Sequence, residues 1–171
     1  TTIWKWSDTQ GLEALLTDTW AHSLGFDEQG RLFFGKEEYR DDVGPYCSFW
    51  LRDQNGKLTP IIEPVLTRDR FFADKAVLGP AGGLYYLSKE GLRKRTSDGL
   101  DRIVARVSMS AMTTLVLGAS ETVYVSSKDA IWEISPSGEV SLVTEGLVNP
   151  HPENPIFSDN SFNEVFGFCL T

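Results

Sequence analysis

The stretch that decides the fold is Ile131-Trp132-Glu133-Ile134-Ser135-Pro136-Ser137-Gly138-Glu139-Val140-Ser141-Leu142-Val143-Thr144-Glu145. It reads as a short alternating strand, a polar turn closed by glycine, and a second alternating strand. That is the pattern of a β-hairpin whose glycine supplies the left-handed conformation the turn demands. The same shape recurs as Ile3-Trp4-Lys5-Trp6 through Asp18, as Phe49-Trp50-Leu51-Arg52-Asp53-Gln54-Asn55-Gly56-Lys57-Leu58-Thr59-Pro60-Ile61-Ile62, and as Leu92-Arg93-Lys94-Arg95-Thr96-Ser97-Asp98-Gly99-Leu100-Asp101-Arg102-Ile103-Val104. The turn glycines of the four copies, Gly11, Gly56, Gly99 and Gly138, are 45, 43 and 39 residues apart.

A different hairpin precedes three of these copies. Leu24-Gly25-Phe26-Asp27-Glu28-Gln29-Gly30-Arg31-Leu32-Phe33-Phe34 matches Val77-Leu78-Gly79-Pro80-Ala81-Gly82-Gly83-Leu84-Tyr85-Tyr86-Leu87 and Val116-Leu117-Gly118-Ala119-Ser120-Glu121-Thr122-Val123-Tyr124-Val125. The repeating unit is therefore four strands in about 40 residues, the period of a β-propeller blade. Such a sheet cannot bury both faces alone, so neighbours stack and their alternating apolar residues form one continuous core. Leu32, Phe34, Leu84, Tyr86, Val123 and Val125 are the expected core. A β-sandwich also has short strands and regular turns, but does not require two different hairpins in strict succession. The spacing of Leu12, Leu15 and Leu16 fits a helix over Gly11–Trp20; the alignment of that segment with Glu139–Thr144 makes it a strand.

The expected architecture is all-β: a propeller of four-stranded antiparallel blades, about four blades' worth in one domain over 1–171. Blades fall at about 20–64, 74–106 and 112–146, with half-blades at 1–18 and 162–171 and a loop at 147–161. Three blades are complete and two are halves, so the ring is expected to be completed by a second copy, as a homo-oligomer, or by a further propeller segment. Gly35–Tyr46 and Val148–Ser161 read as loops, where ligands are met on a rigid scaffold.

Composition narrows the function classes. The chain of 171 residues carries 24 acidic and 16 basic side chains, a net charge of -8. That balance argues against nucleic-acid binding, which relies on clustered Lys and Arg. No apolar run approaches a membrane span, and the start, Thr1-Thr2-Ile3-Trp4, does not read as a targeting segment. The expectation is a soluble protein with no membrane partner. Cys47 and Cys169 can pair only once, across more than a hundred residues, and both read as buried thiols. Two histidines, His22 and His151, cannot build a three-histidine zinc site. No nucleophile elbow or phosphate loop is present. Arg93-Lys94-Arg95, flanked by Asp98 and Asp101, reads as a solvated blade edge. Trp4, Trp6, Trp50 and Trp132 fall in third strands, where indoles pack between blades or, when exposed, recognise a glycan or peptide.

The frame of apolar-Gly-apolar, a polar turn, Leu-Tyr-Tyr or Val-Tyr-Val, then Ile-Trp-Glu-Ile-Ser-Pro-Ser-Gly-Glu-Val resembles the blades of NHL-type and gluconolactonase or strictosidine-synthase-type β-propellers, over nearly the whole chain. The gluconolactonase branch implies a divalent metal in the central channel, Ca2+ or another oxygen-bound ion. The residues before the innermost strands are His22 and Ser23, Lys75 and Ala76, Thr113 and Thr114, and Asn163 and Glu164. Of these, Asn163 and Glu164 are the metal-ligand candidates, and His22 and Glu164 the candidate catalytic residues. The primary expectation is a binding or scaffold module recognising a small molecule, glycan or protein through loops on one face; the alternative is a metal-dependent lactonase or hydrolase.

Overall fold

A computed structural model of the chain describes residues 2–17, 21–40, 44–66, 71–107, 112–127 and 130–145. The fold is all-β. A hairpin of β1 (Ile3–Ser7) and β2 (Gly11–Leu16) is followed by three four-stranded antiparallel sheets. Sheet I holds β3 (Ala21–Phe26), β4 (Leu32–Arg40), β5 (Gly44–Arg52) and β6 (Leu58–Leu66). Sheet II holds β7 (Phe71–Leu78), β8 (Leu84–Ser88), β9 (Gly91–Arg95) and β10 (Asp101–Ala105). Sheet III holds β11 (Met112–Leu117), β12 (Val123–Ser127), β13 (Ala130–Ile134) and β14 (Val140–Glu145). Each sheet is a meander in which every strand pairs with its sequence neighbour. Gly11–Leu16 is strand, so the helical spacing of its leucines is overridden by cross-strand pairing with β1. Among the described residues no helix is long and apolar enough to cross a membrane.

The sheets stack face on face in chain order. Ile3, Leu15 and Leu16 of the hairpin meet Leu32, Phe34 and Trp50 of sheet I. Phe33, Cys47 and Phe49, on the opposite face of sheet I, meet Leu84 and Tyr86 of sheet II. Tyr85, Leu87 and Leu92 then meet Leu115, Val123, Val125 and Ile134 of sheet III. The expected core residues are all buried, but they are only half of it: Phe33 and Tyr85, which point the other way, are buried as completely. First strands of successive sheets lie beside one another, β3 next to β7 and β7 next to β11.

The turns repeat with the sheets. The Gly138 N–H donates to Ser135 O, and the Ser135 N–H to Glu139 O; the same two bonds recur at Asp27/Gly30, Asp53/Gly56 and Thr96/Gly99. The bonds of Gly79 to Gly83 and Gly118 to Thr122 fix the equivalence of the preceding hairpins, and the matching bond in sheet I runs from Asp27 to Arg31. Phe26, not Gly25, therefore stands where Leu78 and Leu117 stand, one residue from the match of the stretches in the sequence. In this frame the left-handed position held by Gly30 and Gly82 is held in sheet III by Glu121, at φ 61°.

That glutamate crosses to the neighbouring sheet. Lys94 Nζ of β9 donates to Glu121 Oε2 at 2.7 Å and lies 5.0 Å from the centre of the Tyr85 ring. The bond from Lys94 pulls the Glu121 carboxyl below the usual carboxylate range, against the opposing effect of burial. Burial works against the Lys94 charge, and the bonds to Glu121 and Tyr85 outweigh it, so its ammonium is held above the ordinary value. Within sheet II, Tyr86 donates to Asp101 at 2.5 Å and Arg93 bonds both Asp101 and Glu90. The expected solvated edge at Arg93-Lys94-Arg95 is thus corrected: β9 lies inside sheet II, flanked by β8 and β10, and Arg93 and Lys94 are paired.

Two outcomes follow. Gly138 sits at φ +90°, and a Cβ there would overlap the Val104 carbonyl of sheet II, whereas Gly11, at φ +69°, faces open space. Gly138→Ala is expected to cost at least about 2 kcal/mol and Gly11→Ala about 1 kcal/mol of backbone strain alone; equal shifts in urea midpoint would contradict this packing. Because the Glu121 pKa is lowered on folding, its contribution is present above the ordinary value of about 4.3 and is lost as pH falls through the lower folded value. Lys94→Met should therefore flatten the fall in urea midpoint below about pH 5; a variant that falls as steeply as the parent removes this contact as a stabiliser.

Candidate functional site

Within the expected loop Gly35–Tyr46, residues 35–40 and 44–46 are strand: β4 runs on to Arg40 and β5 starts at Gly44, with Glu37 opposite Cys47, Glu38 opposite Tyr46 and Tyr39 opposite Pro45. Charges that looked like loop chemistry are the two sides of a hairpin, with cross-strand partners on each side. Strands β4 and β5 have nine residues each, against five in β8 and β9, so the β4–β5 hairpin reaches further at this end than the β8–β9 hairpin.

On one side of the extension lies an ion-pair ladder. Lys36 pairs with Glu38, Arg40 approaches Glu38 at 3.8 Å, and the Arg40 guanidinium covers the Tyr46 ring at 4.2 Å. The other side faces sheet II and gathers His22, Glu37 and Tyr39. His22 pairs with Gly35, whose missing side chain leaves a gap between Phe33 and Glu37 along β4. Across that gap His22 Nε2 lies 3.9 Å from Glu37 Oε2, beyond direct hydrogen-bond length. Nε2 is screened from solvent and has no partner among the described groups. The Tyr39 phenol hydrogen-bonds the same carboxylate, and that bond, together with the charge of Glu37, raises its pKa. Glu37 thus stands between an imidazole and a phenol.

The backbone beside His22 is strained. Pairing of β3 with β4 slips between His22 and Gly25, and Ser23 adopts φ 51°. The Ser23 hydroxyl accepts the Ala76 N–H of β7 at 3.2 Å, tying the first strands of sheets I and II together. Similar slips occur in β7 before Ala76 and in β11 before Thr114. His22 and Ser23, Lys75 and Ala76, and Thr113 and Thr114 accordingly lie within the first strands, not ahead of them. The Ser126 hydroxyl accepts the Thr114 N–H, and the Ser88 hydroxyl closes the β8–β9 turn on Gly91, so both serines are structural.

Of the sequence candidates, only His22 is placed; Asn163 and Glu164, like His151, Cys169, the 147–161 loop and the 162–171 half-blade, lie outside the described residues. Among the described residues no three His, Cys, Asp or Glu side chains converge to hold a metal ion. Cys47 is fully buried against Phe49 and Phe33. Glu37 and Tyr39 were assigned to a loop because the three consecutive charges Lys36-Glu37-Glu38 break the apolar alternation, so no local signal carried the strand through them.

No protein-family model matches the chain, and no curated protein matches it. A solved structure of a protein of unknown function from Bacteroides caccae is similar over 80% of this chain, with a TM-score of 0.50 and 11% sequence identity. The chain covers 50% of that protein's length. At that identity the likeness speaks for the all-β fold alone.

An unpartnered buried ring nitrogen costs about 1–3 kcal/mol of stability. His22→Leu is therefore expected to leave the urea midpoint unchanged or to raise it by up to about 1 kcal/mol equivalent. A loss above about 1 kcal/mol would assign the imidazole a structural partner instead.

Proposed function

We propose that the hairpin and three sheets are consecutive blades of a β-propeller arc, and that the arc serves as a binding or scaffold module. Its ligand, a small molecule, glycan or protein segment, is met at the end of the array where β4 and β5 extend past β8 and β9. The propeller reading is supported by the stacking of like faces in chain order and by first strands lying side by side. The observation that carries the binding reading is the His22–Glu37–Tyr39 group. A buried Nε2 without a hydrogen bond is costly to keep, such costs collect at functional sites, and the Glu37 carboxylate lies 3.9 Å from it. The lactonase alternative rests on Asn163 and Glu164, and no described residue adds a metal ligand set to it.

A thermal-shift panel of sugars, nucleotides, short peptides and divalent ions tests this reading. A ligand at a hundred times its Kd adds about 2.7 kcal/mol to native stability. Glu37→Gln is expected to weaken the responding ligand at least tenfold, about 1.4 kcal/mol. A ligand bound equally by Glu37→Gln, Tyr39→Phe and the parent would remove this group from the site. A calcium response lost in Glu164→Gln would favour the metal-dependent hydrolase.

A further inference from the structure

Every junction in the array has the same sense. One face of each unit, here called trailing, packs on the opposite, leading face of the next: Ile3 on Phe34, Phe33 and Phe49 on Tyr86, and Tyr85 and Leu87 on Val125. None of the three is symmetric. An array built this way ends with one leading face and one trailing face uncovered by a further sheet among the described residues.

The uncovered leading face belongs to the β1–β2 hairpin. Trp4 is opposite Ala14 and Trp6 opposite Leu12, so all four side chains share the face turned away from Ile3. Trp4 corresponds to Trp50 and Trp132 in the repeat. Trp50 is half-buried in the hairpin–sheet I cluster, and Trp132 is half-buried beside Val125 on the side facing sheet II. Trp4 is 58% exposed, Trp6 66% and Leu12 68%. Two indoles and a leucine side by side on a small hairpin form an apolar patch of the kind that marks an interface. The trailing face at the other end is the row Val116, Tyr124, Glu133 and Ser141 of sheet III. It corresponds to Val77, Tyr85, Lys94 and Arg102 of sheet II, where Tyr85 is fully buried by sheet III. Tyr124 is only half-buried.

We propose that the Trp4–Trp6–Leu12 face docks on the Tyr124 face of a second copy of this chain, head to tail, and that two copies close a ring. The contact continues the three junctions already in the molecule, in the same sense and with the same repeat positions. A head-to-tail contact either closes or grows without limit, and stacking in an arc favours closure. Edge-to-edge pairing through β1 is disfavoured, because Lys5 sits at the middle of that strand and like charges would meet.

Light scattering on three proteins tests the proposal. The parent is expected at twice the 19.1 kDa chain mass, with no growth on tenfold concentration. Trp4→Ser/Trp6→Ser and Tyr124→Lys are each expected to be monomers with unchanged far-ultraviolet circular dichroism. Mixed in equal amounts, they should recover a dimer, because one intact leading face then meets one intact trailing face. A monomeric parent overturns the proposal and leaves the ligand site standing; a blue-shifted tryptophan emission in that monomer would mean that the chain's own residues 146–171 cover the hairpin. A Tyr124→Lys protein that still dimerises, or a mixture that stays monomeric, overturns the head-to-tail arrangement, and open-ended growth overturns closure.

Discussion

The structure depends on the burial of both faces of its second strands. In β4, Leu32 and Phe34 turn to the hairpin and Phe33 to sheet II; in β8, all five residues from Leu84 to Ser88 are buried. A four-stranded sheet has two faces and no thickness in which to hide them, so each is stable only between neighbours. Fully burying one Phe or Leu side chain contributes about 1.5–3 kcal/mol, and every internal sheet collects that gain on both sides. The uniform sense of packing follows from this requirement, as does the exposure of Trp4 and Trp6 where the described array ends.

Polar groups serve the same stacking. Lys94 reaches from sheet II to Glu121 of sheet III, and Ser23 of sheet I accepts a backbone N–H from β7. Both contacts rest on non-glycine residues in left-handed backbone, at φ 61° and φ 51°. Each conformation costs of order 1 kcal/mol, and in each case the side chain bonds the adjoining sheet. Glycine holds the position equivalent to Glu121 in sheets I and II; a glycine there would relax the turn and delete the carboxylate. His22 differs, since it sits beside the strained Ser23 without a bond at Nε2. The nearby strain is explained by the tie to sheet II, whereas no described group hydrogen-bonds the imidazole Nε2.

Much of this was legible in the sequence because period and punctuation agree. Alternation located the second strands, and turn glycines at 39 to 45 residue intervals marked the outer hairpins. What escaped notice obeys rules that one strand cannot display. Phe33 and Tyr85 are core because a further sheet covers them, and nothing local tells a doubly covered strand from a half-exposed one. Gly35–Tyr46 looked like a loop because it is charged, yet its charges alternate by side, as the Lys36–Glu38–Arg40 ladder shows. Arg93-Lys94-Arg95 looked solvated because only Asp101 of its partners is a flanking aspartate; Glu90 lies in the preceding turn and Glu121 in the next sheet. The slip by one residue between Gly25 and Phe26 arose because hydrogen bonds define the turn, and Asp27 takes in sheet I the place of Gly79 and Gly118.

Amide hydrogen exchange along the chain tests nearest-neighbour stacking most directly. In the Tyr124→Lys protein, where the contact between copies is broken, the amides of β8, in the sheet covered on both faces by four-stranded neighbours, are predicted to exchange slowest, at the rate of global unfolding, with protection falling through sheet I to the β1–β2 hairpin. Equal protection of the hairpin and β8, or faster exchange in β8 than in β1, would contradict the account.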